Sequence, residues 1–532
     1  MERLTTRAES ARPMNLGEPV KSPAPGGLAF PFVAAAAQVA LQVFFHGNYG
    51  YFRDELYYIA CSNHLAFGYV DQPPLSIAIL WLNRMLLGDS LQALRILPSL
   101  ASAGVVLLTA VMARDLGGSR WAQGLAALSV VCAPGLLGQS RFFSMNPFDV
   151  LFWALALAIL VRIFRGEHPR WWLLFGLATG LGLQNKYSIG FMVLGLVAAL
   201  LITPQRKHLA GKWFWLGAAV AAVIFLPHIL WEAANRFPSL EFMRNASLQK
   251  NVRLGVIDFF MGQFLEMNIV NAAIWLCGLL SLFVLQGGRY RPLAWMYPII
   301  CIIMLAGSAK VYYLFPVYPV LLAAGAVWID DRARQRNLSR LKIVPAALLV
   351  IFALVTLPFA LPVLPVDEFI RYEHLLGLAP HSEERIAVGE LPQYYADQFG
   401  WREMADTVAR VYGTLTPQEQ SRCVIYMRNY GEAAAIDFFG KKLGLPGALC
   451  AHNSYWHWGP GERTGDVAII VGSRRTLQEN LDDLRRAYGD VTLAAVTRAE
   501  YSMPYENGRM IFVCRGMNTT FQAIWPAERF YI

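Results

Sequence analysis

The hydrophobic positions of this chain fall into long unbroken runs, which recur from Leu28 to Leu364. A helix that is apolar on every side lies in a core or in lipid. About 20 such residues cross the hydrocarbon layer of a bilayer, and they must be helical because lipid offers no partner to an open backbone N–H or C=O. The pattern predicts spans near Leu28–Phe45, Ala93–Ala113, Trp121–Gly138, Phe148–Phe164, Trp171–Leu183 and Ile189–Ile202. It continues with Phe214–Trp231, Ile269–Leu285, Leu293–Gly307, Val311–Ile329 and Ile343–Leu364, about eleven in all. Pro74–Leu87 is apolar but, at about 14 residues, short for a span. We read it as an interfacial helix lying along the membrane, inside a long first outer loop, residues 46–92.

After Val366 the pattern becomes that of a soluble domain of about 165 residues. Strands are predicted at Arg422–Met427, Asp466–Val471, Val491–Val496 and Met510–Cys514, with helices at Gly431–Leu443 and Thr476–Tyr488. Strands alternating with helices imply an α/β layer fold. The predicted organisation is therefore a polar tail (1–27), a polytopic all-α membrane domain (28–365) and an α/β domain (366–532).

Charge then orients the chain. Of its 532 residues 56% are hydrophobic and 16% charged, with a net charge of +9. The basic residues do not form a nucleic-acid surface. They sit in short loops between spans: Arg114 and Arg120; Arg162, Arg165 and Arg170; Arg206, Lys207 and Lys212; Arg289 and Arg291; Arg332, Arg334, Arg336, Arg340 and Lys342. Loops rich in Lys and Arg stay in the cytoplasm. This places the N-terminal tail inside and the α/β domain outside.

Four features then face outward. The first is Arg53-Asp54-Glu55, with Tyr58, directly after the first span. Asp54 is either a helix cap or a carboxylate at the lipid–water boundary acting as general base. The second is Asp71-Gln72-Pro73-Pro74, where the prolines start the interfacial helix or simply make a turn. The third is Asn146-Pro147-Phe148-Asp149 at a span mouth: Asn146 is placed to cap the helix, and Asp149 lies about one turn deeper, where a charge is costly and functional by default. The fourth is a lysine pair, Lys186 and Lys310, the latter followed by Tyr312 and Tyr313. Each lysine alone fits snorkelling to headgroups. Together with Arg53 and Arg141 they suit a phosphate or pyrophosphate leaving group.

These motifs resemble the GT-C membrane glycosyltransferases of the dolichyl-phosphate-mannose–protein mannosyltransferase type, a superfamily that includes the bacterial aminoarabinose lipid A transferase. The resemblance covers Leu28 to Leu364. It rests on Asp54-Glu55 in a long first outer loop, Pro73-Pro74, Arg95-Ile96-Leu97-Pro98-Ser99, Gly180-Leu181-Gly182-Leu183-Gln184-Asn185-Lys186 and the run from Lys310-Val311-Tyr312-Tyr313 to Pro319. It implies inverting transfer of a sugar from a polyprenyl-phosphate donor to a lipid, glycan or protein acceptor on the outer face of the bacterial cytoplasmic membrane. Asp54 would deprotonate the acceptor, and Lys186 and Lys310 would hold the departing lipid phosphate. Two departures stand out. Members often have Asp where Asn146 stands, so Asp149 would supply the second acidic role, with Glu55 a further catalytic candidate beside Asp54. The lipid A transferase has Lys where Gln72 precedes the prolines. Metal use varies in the superfamily, so a divalent ion stays open, but His64, His228 and His452 are scattered without ligand spacing.

In the outer domain, Arg428-Asn429-Tyr430-Gly431-Glu432 sits at a strand-to-helix edge, a usual ligand position. His452–Pro460 mixes aromatic and amide groups and reads either as a sugar-stacking surface or as a core turn. This domain is expected to shape acceptor recognition. Among the seven cysteines, Cys423, Cys450 and Cys514 lie outside, where a Cys423–Cys450 bridge is one pairing. The competing readings are a transporter or flippase for a lipid-linked or anionic substrate, and an outward-facing sensor or scaffold. The first leaves the long acidic first loop and the large outer domain unexplained. It also lacks the internal repeat common in transporters.

Overall fold

The apolar runs become helices, several of them closed by a polar or glycine residue such as His46 after α1 and Gly166 after α7. The computed structural model describes residues 28–307 and 309–532; the tail expected in the cytoplasm lies outside the described residues. The helices are α1 (Ala29–Phe45), α2 (Arg53–Ser62), α3 (Leu75–Leu87), α4 (Leu91–Asp115), α5 (Arg120–Val131), α6 (Pro134–Gln139), α7 (Met145–Arg165) and α8 (Trp171–Asn185). They continue with α9 (Ile189–Leu201), α10 (Lys212–Ala234), α11 (Pro238–Asn245), α12 (Val256–Glu266), α13 (Ile269–Val284), α14 (Arg291–Ala306), α15 (Tyr318–Gln335) and α16 (Ile343–Ala360).

Among the described residues six helices are long and apolar enough to cross a membrane, or seven if α9 and the turn after it, bent by 114°, count as one. Their burial sorts them. The α7 span is 78% buried at the centre of the bundle, whereas the α10 and α16 spans are 11% and 17% buried. α16 exposes Leu348, Ile351, Leu354 and Val355, a face that water would penalise and lipid would not. Small residues let helices touch. A Cβ on Gly278 of α13 would enter the Leu321 carbonyl of α15, and one on Gly325 of α15 the Ile274 carbonyl of α13.

The C-terminal part is a five-stranded mixed sheet of β1 (Cys423–Tyr426), β2 (Ala448–Leu449), β3 (Val467–Val471), β4 (Tyr488–Val496) and β5 (Met510–Met517), in the order β2-β1-β3-β5-β4. β1 runs parallel to both β2 and β3, and β5 runs antiparallel to β3 and β4. The two-residue β2 has no pattern of its own in the sequence. β1 and β3 are buried on both faces. On one face Val424, Ile470 and Phe512 pack on Leu484 and Trp525. On the other, Ile425, Ile469 and Val513 share a core with Trp401, Ala405, Ala433 and, from the first loop, Leu56 to Cys61 of α2. The α2 helix is thus clamped between the sheet domain and the membrane helices.

No disulfide joins Cys423 and Cys450; both thiols are free and buried. The register explains why. Tyr426 pairs with Leu449, so Cys450 is level with Met427, four residues beyond Cys423 and roughly 13 Å along the strand. A disulfide needs Cα atoms no more than about 7 Å apart.

Candidate functional site

The first turn of α2 decides what its two carboxylates can do. Glu55 reaches back to accept the Phe52 N–H at 2.9 Å, satisfying a donor at the start of α2. It also takes Arg95 through Nε at 3.0 Å and Nη2 at 2.7 Å, and the Phe143 N–H at 2.8 Å. Glu55 is fully buried and its oxygens are saturated, so it ties the first loop to α4 and to the start of α7. Asp54, rotated about 100° by one helical residue, caps nothing. Its hydrogen bonds among the described residues come from Arg53 Nε at 3.3 Å and the Tyr430 hydroxyl at 3.1 Å, and its side chain is 36% exposed.

Arg53 holds Asp54 in place. Its backbone N–H donates to the Asp397 carbonyl at 2.9 Å and its Nη1 to the Tyr505 hydroxyl at 3.0 Å. The guanidinium lies 3.4 Å from Asp397 and 3.7 Å from Glu384, 5.5 Å over the Tyr430 ring. Tyr430 thus comes from the strand-to-helix edge singled out in the sequence.

A second group forms at the mouths of α7 and α8. Ser144, not Asn146, caps α7 by accepting the Asn146 N–H at 3.2 Å. This frees the Asn146 side chain to accept from Lys186 Nζ at 2.8 Å. Lys186 also lies 3.7 Å from Asp149 and over the rings of Tyr312 and Tyr313, at 5.1 and 4.8 Å. The Tyr58 hydroxyl accepts the Met145 N–H at 3.3 Å.

Lys310 joins the two groups. Its Nζ is 3.8 Å from Glu383 and 3.7 Å from Glu384. The charges of Arg53 and Lys186 reach these same carboxylates. Glu384 feels burial pushing it up, yet Lys250, Arg53 and Lys310 hold it well below the usual carboxylate range. Glu383 goes the other way, raised by burial with Glu384 adding to it. Burial lifts Asp71 to about 6, against a hydrogen bond from the Tyr57 hydroxyl at 3.0 Å, with Asp54 pushing it further up. Asp397 is likewise raised to about 6 by burial, opposed by Arg53.

Two expected residues are not brought here. Arg141 donates through Nη1 to the carbonyls of Phe359 and Ala360 at 3.2 and 3.3 Å and lies over the rings of Tyr394 and Tyr395, which turn its guanidinium elsewhere. Gln72 is 1% exposed; its backbone carbonyl accepts the Tyr69 N–H, which shapes the loop before α3, and its side-chain Nε2 is buried with no hydrogen-bond partner among the described residues. Conversely, Glu383, Glu384, Asp397, Lys250 and Tyr505 join the site with no motif to announce them. Among the described residues no group of three or more His, Cys, Asp or Glu side chains is placed to hold a metal ion.

The opposite face of α2 lines a groove of about 830 Å³ between the first loop and the sheet domain. Tyr51 packs on Phe438 and Phe439 there, beside Arg402, Lys441 and Lys442. The 452–460 segment is a core turn in part: Tyr455 is buried and donates to Asp437 at 2.6 Å, and Trp458 stacks on His64.

Residues 71–231 match the family described as dolichyl-phosphate-mannose-protein mannosyltransferase. The chain is 27% identical over 296 residues to the lipid A galacturonosyltransferase RgtD of Rhizobium johnstonii, covering 52% of this chain and 60% of that one. It is 22% identical over 332 residues to an undecaprenyl phosphate-alpha-4-amino-4-deoxy-L-arabinose arabinosyl transferase of Pseudomonas fluorescens, covering 58% and 55%. The matches therefore span less than two thirds of either relative. In fold it is similar to ArnT of Cupriavidus metallidurans in the apo state, with a TM-score of 0.57 at 18% identity over 90% of this chain and 97% of that one. The same enzyme bound to undecaprenyl phosphate superposes with a TM-score of 0.56.

Proposed function

We propose that this chain, a member of the GT-C glycosyltransferase superfamily and a multi-pass membrane protein, is an inverting glycosyltransferase that moves a sugar from a polyprenyl-phosphate donor to an acceptor on the outer face of the cytoplasmic membrane. The observation that carries the reading is the pairing of one unsaturated, half-exposed carboxylate, Asp54, with the cations Lys186 and Lys310 at a single mouth of the bundle. The names of the relatives support a polyprenyl-phosphate donor and a lipid acceptor.

The chemistry follows from those groups. The acceptor hydroxyl attacks the anomeric carbon from the face opposite the phosphate, and Asp54 takes its proton as the new C–O bond forms. The bond from the anomeric carbon to the phosphate oxygen breaks, and both electrons leave with the phosphate. A phosphate monoester needs no protonation near neutral pH, so fixed cations suffice to stabilise it. Arg53 and the Tyr430 hydroxyl hold the carboxylate in place, and Asp54 returns its proton to solvent. Asp149 orients Lys186, and Glu55 keeps α2 seated. The aromatic and basic groove behind α2 selects the acceptor.

In this reading the membrane domain (28–365) crosses eleven times, through α1, α4, α5 with α6, α7, α8, α9, α10, α13, α14, α15 and α16. α3 lies in the interface, and the domain 366–532 stands outside. The basic loops after α4, α7 and α15 face the cytoplasm. Purified protein supplied with an undecaprenyl-phosphate sugar and a lipid A acceptor should release undecaprenyl phosphate and form a product of inverted anomeric configuration. Retention of configuration, or no transfer with any such donor, overturns the reading. For orientation, Gln418→Cys should react with an impermeant thiol reagent on intact cells and Arg334→Cys only after permeabilisation. Both positions are exposed, whereas Glu55 is buried and unsuited to labelling.

A further inference from the structure

Glu384 is an odd carboxylate. Its Oε1 lies 3.6 Å from Lys250 Nζ, 3.7 Å from Lys310 Nζ and 3.7 Å from Arg53 Nη2. Charge-assisted hydrogen bonds close to about 2.7–2.9 Å, as Glu55 and Arg95 do at 2.7 Å. Three cations thus converge on one carboxylate at Coulomb distance and bind it closely through none of them. Two ammonium groups and a guanidinium carry more donors than two carboxylate oxygens can accept. A phosphate group, with three free oxygens and more charge, matches the number and spread of these donors better.

The segments that bring this carboxylate and Lys250 together form a clip. The Arg385 N–H donates to the Lys250 carbonyl at 2.8 Å, the Val252 N–H to the Glu383 carbonyl at 3.1 Å, and Arg385 Nη1 to the Leu248 carbonyl at 2.9 Å. Lys250 ends the wide helical turn Ala246–Lys250, and Glu384 pairs with Asn251 in an isolated bridge. Lys250 is the last residue of that turn and Glu384 lies in irregular chain, so the clip is held shut by these few hydrogen bonds and opens at their cost.

We propose that Glu384 is a resident stand-in for the donor's phosphate, and that Lys250 is a third cation of that phosphate site. A polyprenyl phosphate displaces the Glu384 carboxylate and is bound by Lys250, Lys310 and Arg53 together, with Lys186 completing the site. Glu384 keeps the three cations gathered while the site is free, and its departure leaves them facing the ligand. This rests on the donor-phosphate reading above and adds to it a residue, Lys250, that no motif marks.

The test is a titration of undecaprenyl phosphate into the full chain in nanodiscs, with inorganic phosphate as competitor. Glu384→Gln removes the competing charge and should tighten undecaprenyl phosphate binding by about 3- to 10-fold. Lys250→Met should weaken it by a similar factor, and inorganic phosphate should compete more strongly against Glu384→Gln than against wild type. In the wild type, undecaprenyl phosphate should raise deuterium uptake in residues 249–253 and 383–386 as the clip opens, a readout that does not depend on any variant folding. Unchanged or weaker binding by Glu384→Gln, or unchanged uptake in the wild type, overturns the proposal. A gain for the lipid with none for inorganic phosphate also overturns it, because the gain would then come from the tail. If Lys310→Ala weakens binding while Glu384→Gln fails to tighten it, only this inference falls. If Lys310→Ala binds as wild type does, the donor-phosphate reading falls with it.

Discussion

Acid–base clusters stand at both ends of the helical bundle, and the two are built differently. At the end bearing the last turns of α4, α7 and α15, Asp330 is fully buried and receives Lys342 at 2.6 Å, Arg334 at 3.0 Å and the Ser119 hydroxyl at 2.6 Å. Asp115 takes Arg162 at 2.8 Å and Arg114 at 3.0 Å. At the other end Asp54 meets its cation at 3.3 Å, and Glu384 meets three cations at 3.6–3.7 Å. The first set is saturated and locks loops together. The second leaves donors and acceptors unfilled, the state expected where a substrate supplies the missing groups. The difference runs even between neighbours, since Glu55 belongs in kind with Asp330 and Asp54 does not.

Asp54→Asn tests the contrast most severely. It should cut transfer by about 10²–10⁴-fold and leave the unfolding temperature where it was, because Asp54 supports no cap. Near-wild-type transfer would move the base to another carboxylate. At the opposite end, Asp330→Asn should do the reverse. Removing one partner of a buried ion pair costs about 3–5 kcal/mol, so folded yield should drop while the rate per folded molecule holds. Glu55→Gln should follow Asp330→Asn; a pure loss of rate there would mean that the two carboxylates of α2 are not different in kind.

Lys310→Ala should weaken use of the polyprenyl-phosphate donor by about tenfold, the value of one well-placed charge, with insertion into the membrane unaffected. An unchanged donor KM and rate would make Lys310 an interfacial anchor. The smallest effect concerns pH. Burial holds Asp71 at about 6, above the unfolded value of about 3.9. A carboxyl so raised supports the fold fully below about pH 3.9 and loses that support as pH rises through 6. Asp71→Asn should therefore change stability little near pH 4, gain progressively toward pH 6 and level off above it. An equal shift in unfolding temperature at low and high pH would show that the charge on Asp71 is not the cause.

Much of this architecture was legible from the chain alone. Lipid accepts only internally bonded backbone, so long apolar runs had to be helices; most predicted runs from Leu28 to Leu364 match one, while Trp121–Gly138 breaks into α5 and α6 and Val311–Val317 forms a tighter turn ahead of α15. Asp54 and Lys310 were legible because charge beside an apolar run is conspicuous. Asp71, Asn146 and Asp149 stood out for the same reason, although Asn146 was expected as a cap and is instead a partner of Lys186. Arg141 and Gln72 were also conspicuous, but the backbone around them sets their partners. Carbonyls of Phe359 and Ala360 take the first, and burial in the loop before α3 takes the second.

What the sequence determined by itself is where helices form and which residue types collect at their ends, because both follow from local hydrophobicity and spacing. What only the tertiary structure decided is which carboxylate is saturated. Glu55 and Asp54 are adjacent and chemically alike, and one helical step sends the first into Arg95 and the second toward Tyr430. Glu384 and Lys250 lie far apart in the chain and meet because two irregular segments pair across the mouth. Charge in this molecule acts through space over a few ångströms, and such distances between remote segments exist only once the chain has folded.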